Sequence, residues 1–274
     1  MKTVLAVIVN FGAEQKKYLQ QVVTALKEIT AYNITVIVNS NIPLPDITGI
    51  DRVNVIELYT KWDITNLFFK IDKRFWNGKV FDYKLLPMTC RQVIDQESEN
   101  YDYFIFTEND HLWLEDHISS FIEYERILPE NRIAGLIQYE EFDDASGYYY
   151  PAYHAKYDWD FDSVEEYSGK KFAHFTNLNQ SSFIISKEQF KRIKKLHGNF
   201  ARFYGNDRYR TIPKVNTDIY QHCGMKKVIC ISEFERNLIH HLPNIYTSGK
   251  LGRDKLGSDD VRMKESLQRL LHTN

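Results

Sequence analysis

Two carboxylates, Glu108 and Asp110, close the stretch "YDYFIFTEND" within Tyr101–Trp113, where five of the six residues from Tyr101 to Phe106 are aromatic or β-branched. Acids that project together from the end of a buried strand repel each other unless a cation lies between them. Hard divalent ions such as Mg²⁺ or Mn²⁺ take oxygen ligands of this kind and commonly share them with the phosphates of a substrate. If the strand continues through the motif, alternation aims Glu108 and Asp110 one way and Asn109 the other. A solvated acidic turn that caps a following helix is the competing reading.

The elements that must position these acids follow from apolar periodicity. Val4 to Val9 is a β-branched run of the type buried on both faces, and Tyr18, Leu19, Val22, Val23, Leu26 and Ile29 recur at helical spacing between Glu14 and Ile29. "ITVIVNSN" reads as a second buried strand, which makes a right-handed βαβ unit whose ligand crevice lies at the carboxyl ends of parallel strands. Asn10 and Asn39 stand at those ends. "RVNVIEL" predicts a third strand, Leu86 to Glu97 a helix, and "YDYFIFT" the next parallel strand. Beyond it, "RIAGLIQYE" reads as one strand, "SSFIISKEQFKRIKKL" as a strand entering a helix, and "KKVICIS" as a late strand. "EFERNLIHHL" reads as a helix that Pro243 stops. The tail "SGKLGRDKLGS" reads as a flexible loop before a final amphipathic helix through Leu271. The segment from Lys61 to Lys84, with Trp62, Phe68, Phe69, Phe75, Trp76 and Phe81, has no single period.

Composition narrows the partners. With 274 residues, 43% hydrophobic and 14% aromatic, the chain can bury a substantial core. A net charge of -2 from interspersed acids and bases gives no basic face for nucleic acid and no polybasic run for anionic lipid. Small molecules or glycans are the expected partners, and peripheral membrane contact stays open. Cys90, Cys223 and Cys230 are odd in number and lack CxxC spacing, which fits a reducing compartment. "MKTVLAVIVN" lacks the pattern of a signal peptide, and no run approaches the roughly 18 apolar residues that span a bilayer, so a cytoplasmic location is expected.

A parallel α/β half followed near residue 100 by an apolar strand ending in acid-x-acid resembles the nucleotide-sugar-dependent glycosyltransferases of the GT-A fold. "END" stands where those enzymes carry D-x-D, with Glu in the first acid position, and "LLPMTCRQVI" looks like the helix that often supplies an arginine to the donor. The resemblance implies a single GT-A-like (Rossmann-like) α/β domain with a mostly parallel central sheet flanked by helices. Residues 1–110 would form the nucleotide-sugar half, 111–248 the acceptor half, and 249–274 a flexible loop and C-terminal helix. It implies a metal, Mn²⁺ or Mg²⁺, that neutralises the donor diphosphate, with Asp110 as direct ligand and Glu108 assisting through water or holding the ribose. Arg91 would face the diphosphate, and Asn10 and Asn39 would line the nucleoside side. Asn39 stands where many relatives have an acid, which leaves a UDP- or GDP-sugar open.

Many GT-A enzymes add a ligand from a histidine near the C-terminus, and "NLIHHLPNIY" offers His240 and His241. On the predicted helix His241 shares the face of Phe234 and Leu238, so it is the preferred ligand, with His240 as substitute and core packing as the ordinary alternative. An inverting transfer needs a carboxylate base. Asp218, at the start of a predicted helix in "VNTDIYQHCGMKKV", is the first choice, and an acid there is otherwise explained by the helix dipole. Glu140, Glu141, Asp143 and Asp144 compete for the role. "GYYYPAYHAKYDWDF" offers aromatic faces to a sugar or to the core, and Lys250 and Arg253 are candidates to close over the diphosphate, with solvated loop charges as the ordinary alternative.

The expected activity is transfer of a sugar from a nucleotide diphosphate sugar to a hydroxyl of a glycan or lipid-linked saccharide. A sugar-phosphate nucleotidyltransferase is disfavoured because "NFGAEQKKY" has one glycine and no arginine where such enzymes bind a triphosphate. A non-catalytic nucleotide-sugar or glycan-binding protein of the same fold is the third reading. A dehydrogenase or a phosphate-loop NTPase lacks its glycine motif here.

Overall fold

The computed structural model describes residues 1–60, 79–151, 159–204, 209–247 and 258–273. The chain is mixed α/β and forms two compact units, Met1–Asn109 with Ile185–Phe203, and Asp110–Ile184 with Tyr204–Asn274. Among the described residues no helix is long and apolar enough to cross a membrane.

The first unit opens with β1 (Thr3–Asn10), α1 (Lys16–Glu28) and β2 (Asn33–Ser40), as the β-branched runs and helical spacing predict. β3 (Arg52–Val55), β4 (Glu57–Leu58), β5 (Lys79–Val80), α2 (Leu86–Glu97) and β6 (Tyr103–Glu108) follow. β1 pairs in parallel with both β2 and β6, and β2 with β3, while the strand Ser182–Ser186 flanks β6. Val4 to Ile8 are fully buried because both faces of the sheet are covered. α1 buries Leu19, Val22, Val23 and Leu26, each contributing about 1.5–3 kcal/mol relative to exposure. "RVNVIEL" divides into β3 and β4, which belong to different sheets.

The second unit starts with β7 (His111–Leu112), α3 (Glu115–Ile127), β8 (Arg132–Ala134), β9 (Ile137–Glu141) and β10 (Tyr148–Tyr150). It continues through β11 (Trp159–Tyr167), β12 (Lys170–Phe175) and β13, the strand Ser182–Ser186 already met, whose chain runs on into α4 (Lys187–His197) of the first unit. α5 (Lys214–Gln221), β14 (Lys226–Cys230), β15 (Leu238–His241), β16 (Ser258–Asp259) and α6 (Asp260–Leu271) complete it. One sheet has the order β16-β10-β9-β15-β7 and another β11-β12-β14-β8. They share an apolar core that includes Ile137, Trp159, Phe175, Ile229, Leu238 and Met263.

Three sequence expectations are corrected here. "EFERNLIHHL" is a 3-10 segment, Ile231–Asn237, that runs into β15. Backbone pairing of Leu238–His241 with strands on both sides overrides the helical spacing. "RIAGLIQYE" is two strands in two sheets, broken at Gly135, where a Cβ would lie 2.4 Å from Lys227 Cε. Asp218 falls inside α5, four residues after its first, and not at its start. The predicted loop at 248–257, with Lys250 and Arg253, lies outside the described residues, as do 61–78, with Trp62, Phe68, Phe69, Phe75 and Trp76, and 152–158 of the aromatic stretch.

Candidate metal centre

β6 ends at Glu108, and Asn109 and Asp110 make a turn before β7 begins at His111. The acids therefore do not alternate along one strand; the turn sets their positions. Over this continuous segment the ligand atoms of Glu108, Asp110 and His111 lie within 4.8 Å of one another.

The register of the second unit adds two more groups. β15 runs antiparallel to β7, with His241 opposite His111 and His240 opposite Leu112. It runs parallel to β9, with Ile239 opposite Gln138 and His240 opposite Tyr139, so the next rung sets His241 beside Glu140. Residues on one rung share a face. Glu140, His241 and His111 thus form a row across three neighbouring strands, and Tyr139, His240 and Leu112 form a row on the opposite face. His240 accordingly stacks on Tyr139, with ring centroids 4.8 Å apart and planes at 18°, and its Nε2 meets Asn244 Oδ1 at 3.2 Å.

The buried row is densely connected. His241 Nδ1 lies 2.6 Å from Glu140 Oε1, and His241 Nε2 lies 3.4 Å from Asp110 Oδ2. Glu140 is fully buried, and its Oε2 accepts from the backbone N–H groups of Tyr246 and Thr247, both at 2.9 Å. His111 Nδ1 comes within 2.9 Å of Asp110 Oδ1. By strict hydrogen-bond geometry Asp110 Oδ1 and both His111 ring nitrogens are buried and unpaired among the described residues, although His111 also interacts with the Asp110 and Gln138 side chains. Burial would depress His241, but Asp110 and Glu140 outweigh it and raise its pKa to about 10. Burial likewise opposes ionisation of Asp110, yet His111 and His241 hold its carboxyl well below the usual range. Burial keeps His111 below its ordinary value against the pull of Asp110.

These residues could hold a divalent cation. Ligand bonds of about 2.0–2.2 Å at tetrahedral or octahedral angles put neighbouring donor atoms about 3.0–3.5 Å apart, and the His241 to Asp110 separation falls in that interval. Each unsatisfied buried polar atom costs about 1–3 kcal/mol, so a cation reached by Asp110 would offset that cost at its carboxylate.

The other sequence candidates occupy different surroundings. Asn10 donates through Nδ2 to Ser40 Oγ and the Gly12 carbonyl and accepts from Asn109 Nδ2 at 2.7 Å. Asn39 donates to Thr89 Oγ1 and accepts from Asn54, both at 2.8 Å. Both asparagines are buried and tie the strand ends together. Arg91 is fully buried, with Nε donating to the Phe200 carbonyl at 2.7 Å and the guanidinium over the Phe200 ring. Asp218 is fully buried, accepts from the Tyr204 N–H at 3.0 Å and pairs with Lys214 Nζ at 3.1 Å. Of the competing acids, Glu141, Asp143 and Asp144 are exposed. Sequence reasoning missed His111, although it directly follows "END", and it considered Glu140 solely as a base. The missed signal was the pairing of β15, which spacing within "NLIHHL" does not carry.

No protein-family model matches the chain, and no curated protein matches it.

Proposed function

We propose that this chain is a metal-dependent glycosyltransferase that moves a sugar from a nucleotide diphosphate sugar, UDP- or GDP-linked, to a hydroxyl of a glycan or lipid-linked saccharide. The observation that carries the reading is the buried group of Asp110, His111 and His241, reached directly from the strand that ends in Glu108. A mixed set of carboxylate oxygens and imidazole nitrogen suits Mn²⁺ better than Mg²⁺, whose ligands are oxygens. Asp110 and His241 would hold the ion, with Glu108 and His111 at its margin.

When bound, such an ion neutralises the diphosphate and stabilises the departing nucleoside diphosphate. The chain's own residues have separate tasks. Asp110 supplies negative charge in a buried turn, Glu140 holds His241 by its other nitrogen, and Asn10 and Asn109 join the end of β1 to the turn. Arg91 and Asp218 are engaged within the fold, so the proposal gives neither a direct role in donor binding or proton transfer and names no base.

A thermal-unfolding panel of UDP, GDP and their sugars, with and without Mn²⁺, tests the reading, because a ligand that binds only the folded state raises the midpoint. Stabilisation that requires both nucleotide and Mn²⁺ supports it. Donor turnover then separates an enzyme from a binding protein, and absence of any nucleotide effect refutes the proposal.

A further inference from the structure

We propose that Glu140 is a positioning residue that fixes His241 so that Nε2 is the atom offered to the divalent cation. The inference rests on the metal-dependent reading above. Its basis is the hydrogen-bond inventory of one buried carboxylate. Oε1 meets His241 Nδ1 at 2.6 Å, while Oε2 accepts from Tyr246 N, Thr247 N and Thr247 Oγ1 at 2.9, 2.9 and 3.3 Å. Oε2 is filled by three donors, which leaves Oε1 as the acceptor turned to the imidazole. With Nδ1 as its donor, the nitrogen left to coordinate is Nε2, the one that faces Asp110.

The anchoring on the other side limits rotation of Glu140. Two backbone amides aim at Oε2, so turning the carboxylate away from His241 would break bonds that no water can easily replace at a fully buried site. The turn from Asn244 to Thr247 is thereby tied to the orientation of the imidazole, and Thr247 Oγ1 also contacts the Asn244 and Glu141 carbonyls. Glutamine has one acceptor oxygen. Turned to the Tyr246 and Thr247 amides, its NH₂ group would donate to Nδ1, and the remaining proton would sit on Nε2 where it blocks coordination.

The test is Glu140→Gln, with two readouts. In the protein treated with chelator, proton NMR of the wild type should show a far-downfield, exchange-protected Nδ1 proton that disappears in His241→Ala and in Glu140→Gln. In the second readout, free Mn²⁺ measured by EPR should report an affinity about 10–100-fold weaker in Glu140→Gln than in wild type. Addition of Mg²⁺ to the wild type should leave the Nδ1 proton in place and remove the Nε2 proton. Persistence of the downfield proton in Glu140→Gln, its absence from wild type, or wild-type Mn²⁺ affinity in the variant overturns the assignment. If Glu140→Gln does not fold, the wild-type spectra alone decide it. A wild type that keeps the downfield proton but binds neither ion defeats the metal reading instead, and the two failures are distinct.

Discussion

His241 Nε2 lies 3.4 Å from Asp110 Oδ2, and the two residues are joined through adjacent strands of one sheet. Without a cation this is an ion pair between an imidazolium and a carboxylate. In the proposed metal site both atoms would be ligands, so proton and metal would compete for the same nitrogen.

That competition fixes a pH dependence. The folded-state pKa of His241, about 10, is above its unfolded value near 6.5. The stability it contributes to the chelated protein is therefore fully present below about pH 6.5 and is lost as pH rises through 10. Mn²⁺ must expel one proton, so its affinity should rise about tenfold per pH unit across the same window. His241→Asn should flatten both curves and His240→Asn neither. Equal curves for the two variants and wild type would remove His241 from the site.

His117 provides a contrary sign. Its Nδ1 accepts from the Leu114 N–H at 3.1 Å and its Nε2 donates to the Leu238 carbonyl at 2.7 Å, which fixes one neutral tautomer. Burial pushes its pKa down to about 4. Its contribution is fully present above about pH 6.5 and is lost as pH falls through 4, a span worth about 3 kcal/mol. Urea midpoints of wild type should fall over that range, and those of His117→Gln should fall less.

Arg91 and Asp218 should behave as structural residues. Arg91→Ala removes a donor to the Phe200 carbonyl, and Asp218→Asn removes a charge that pairs with buried Lys214. Loss of about 3–5 kcal/mol is expected for breaking a buried pair. Nucleotide affinity of the folded fraction should stay near wild type. A stable Asp218→Asn that binds donor normally but turns over 100-fold or more slowly would restore it as a base.

Lys227 and Gly135 form another test. The lysine is buried, its Nζ sits 3.3 Å from the Asn177 carbonyl, and desolvation lowers its pKa to about 7. Below that pH the fold bears the cost of a buried charge, so Lys227→Met should raise thermal stability more at pH 6 than at pH 9. Gly135→Ala should cost about 1–3 kcal/mol in wild type, because its methyl group collides with the lysine stem.

Much of the first unit was legible because local signals and tertiary context agree there. The run Val4–Val9, the spacing in α1 and the bounds of α2 all coincide with the observed elements. The strand before "END" was also legible, but its end was not, since the turn at Asn109 is held by Asn10 from another strand. In the second unit the decisive partners are distant in sequence. Leu238–His241 is a strand because of neighbours at 111–112 and 137–140. The preference for His241 came from a helical face, whereas its buried position comes from the alternation of a strand. Arg91 was legible as a residue of α2 but not in direction, because its partner, the Phe200 carbonyl, lies more than a hundred residues away in sequence.

Asp110→Asn is the decisive variant for metal binding, since it keeps the volume of the turn while removing the charge that faces both His111 and His241. The measurement is Mn²⁺-dependent stabilisation by UDP or GDP in thermal unfolding, compared with wild type at pH 7.5. Wild type with nucleotide and Mn²⁺ together should show a clear rise in midpoint and Asp110→Asn none, with the variant still folded. An unchanged Mn²⁺-dependent rise in Asp110→Asn would contradict the metal reading.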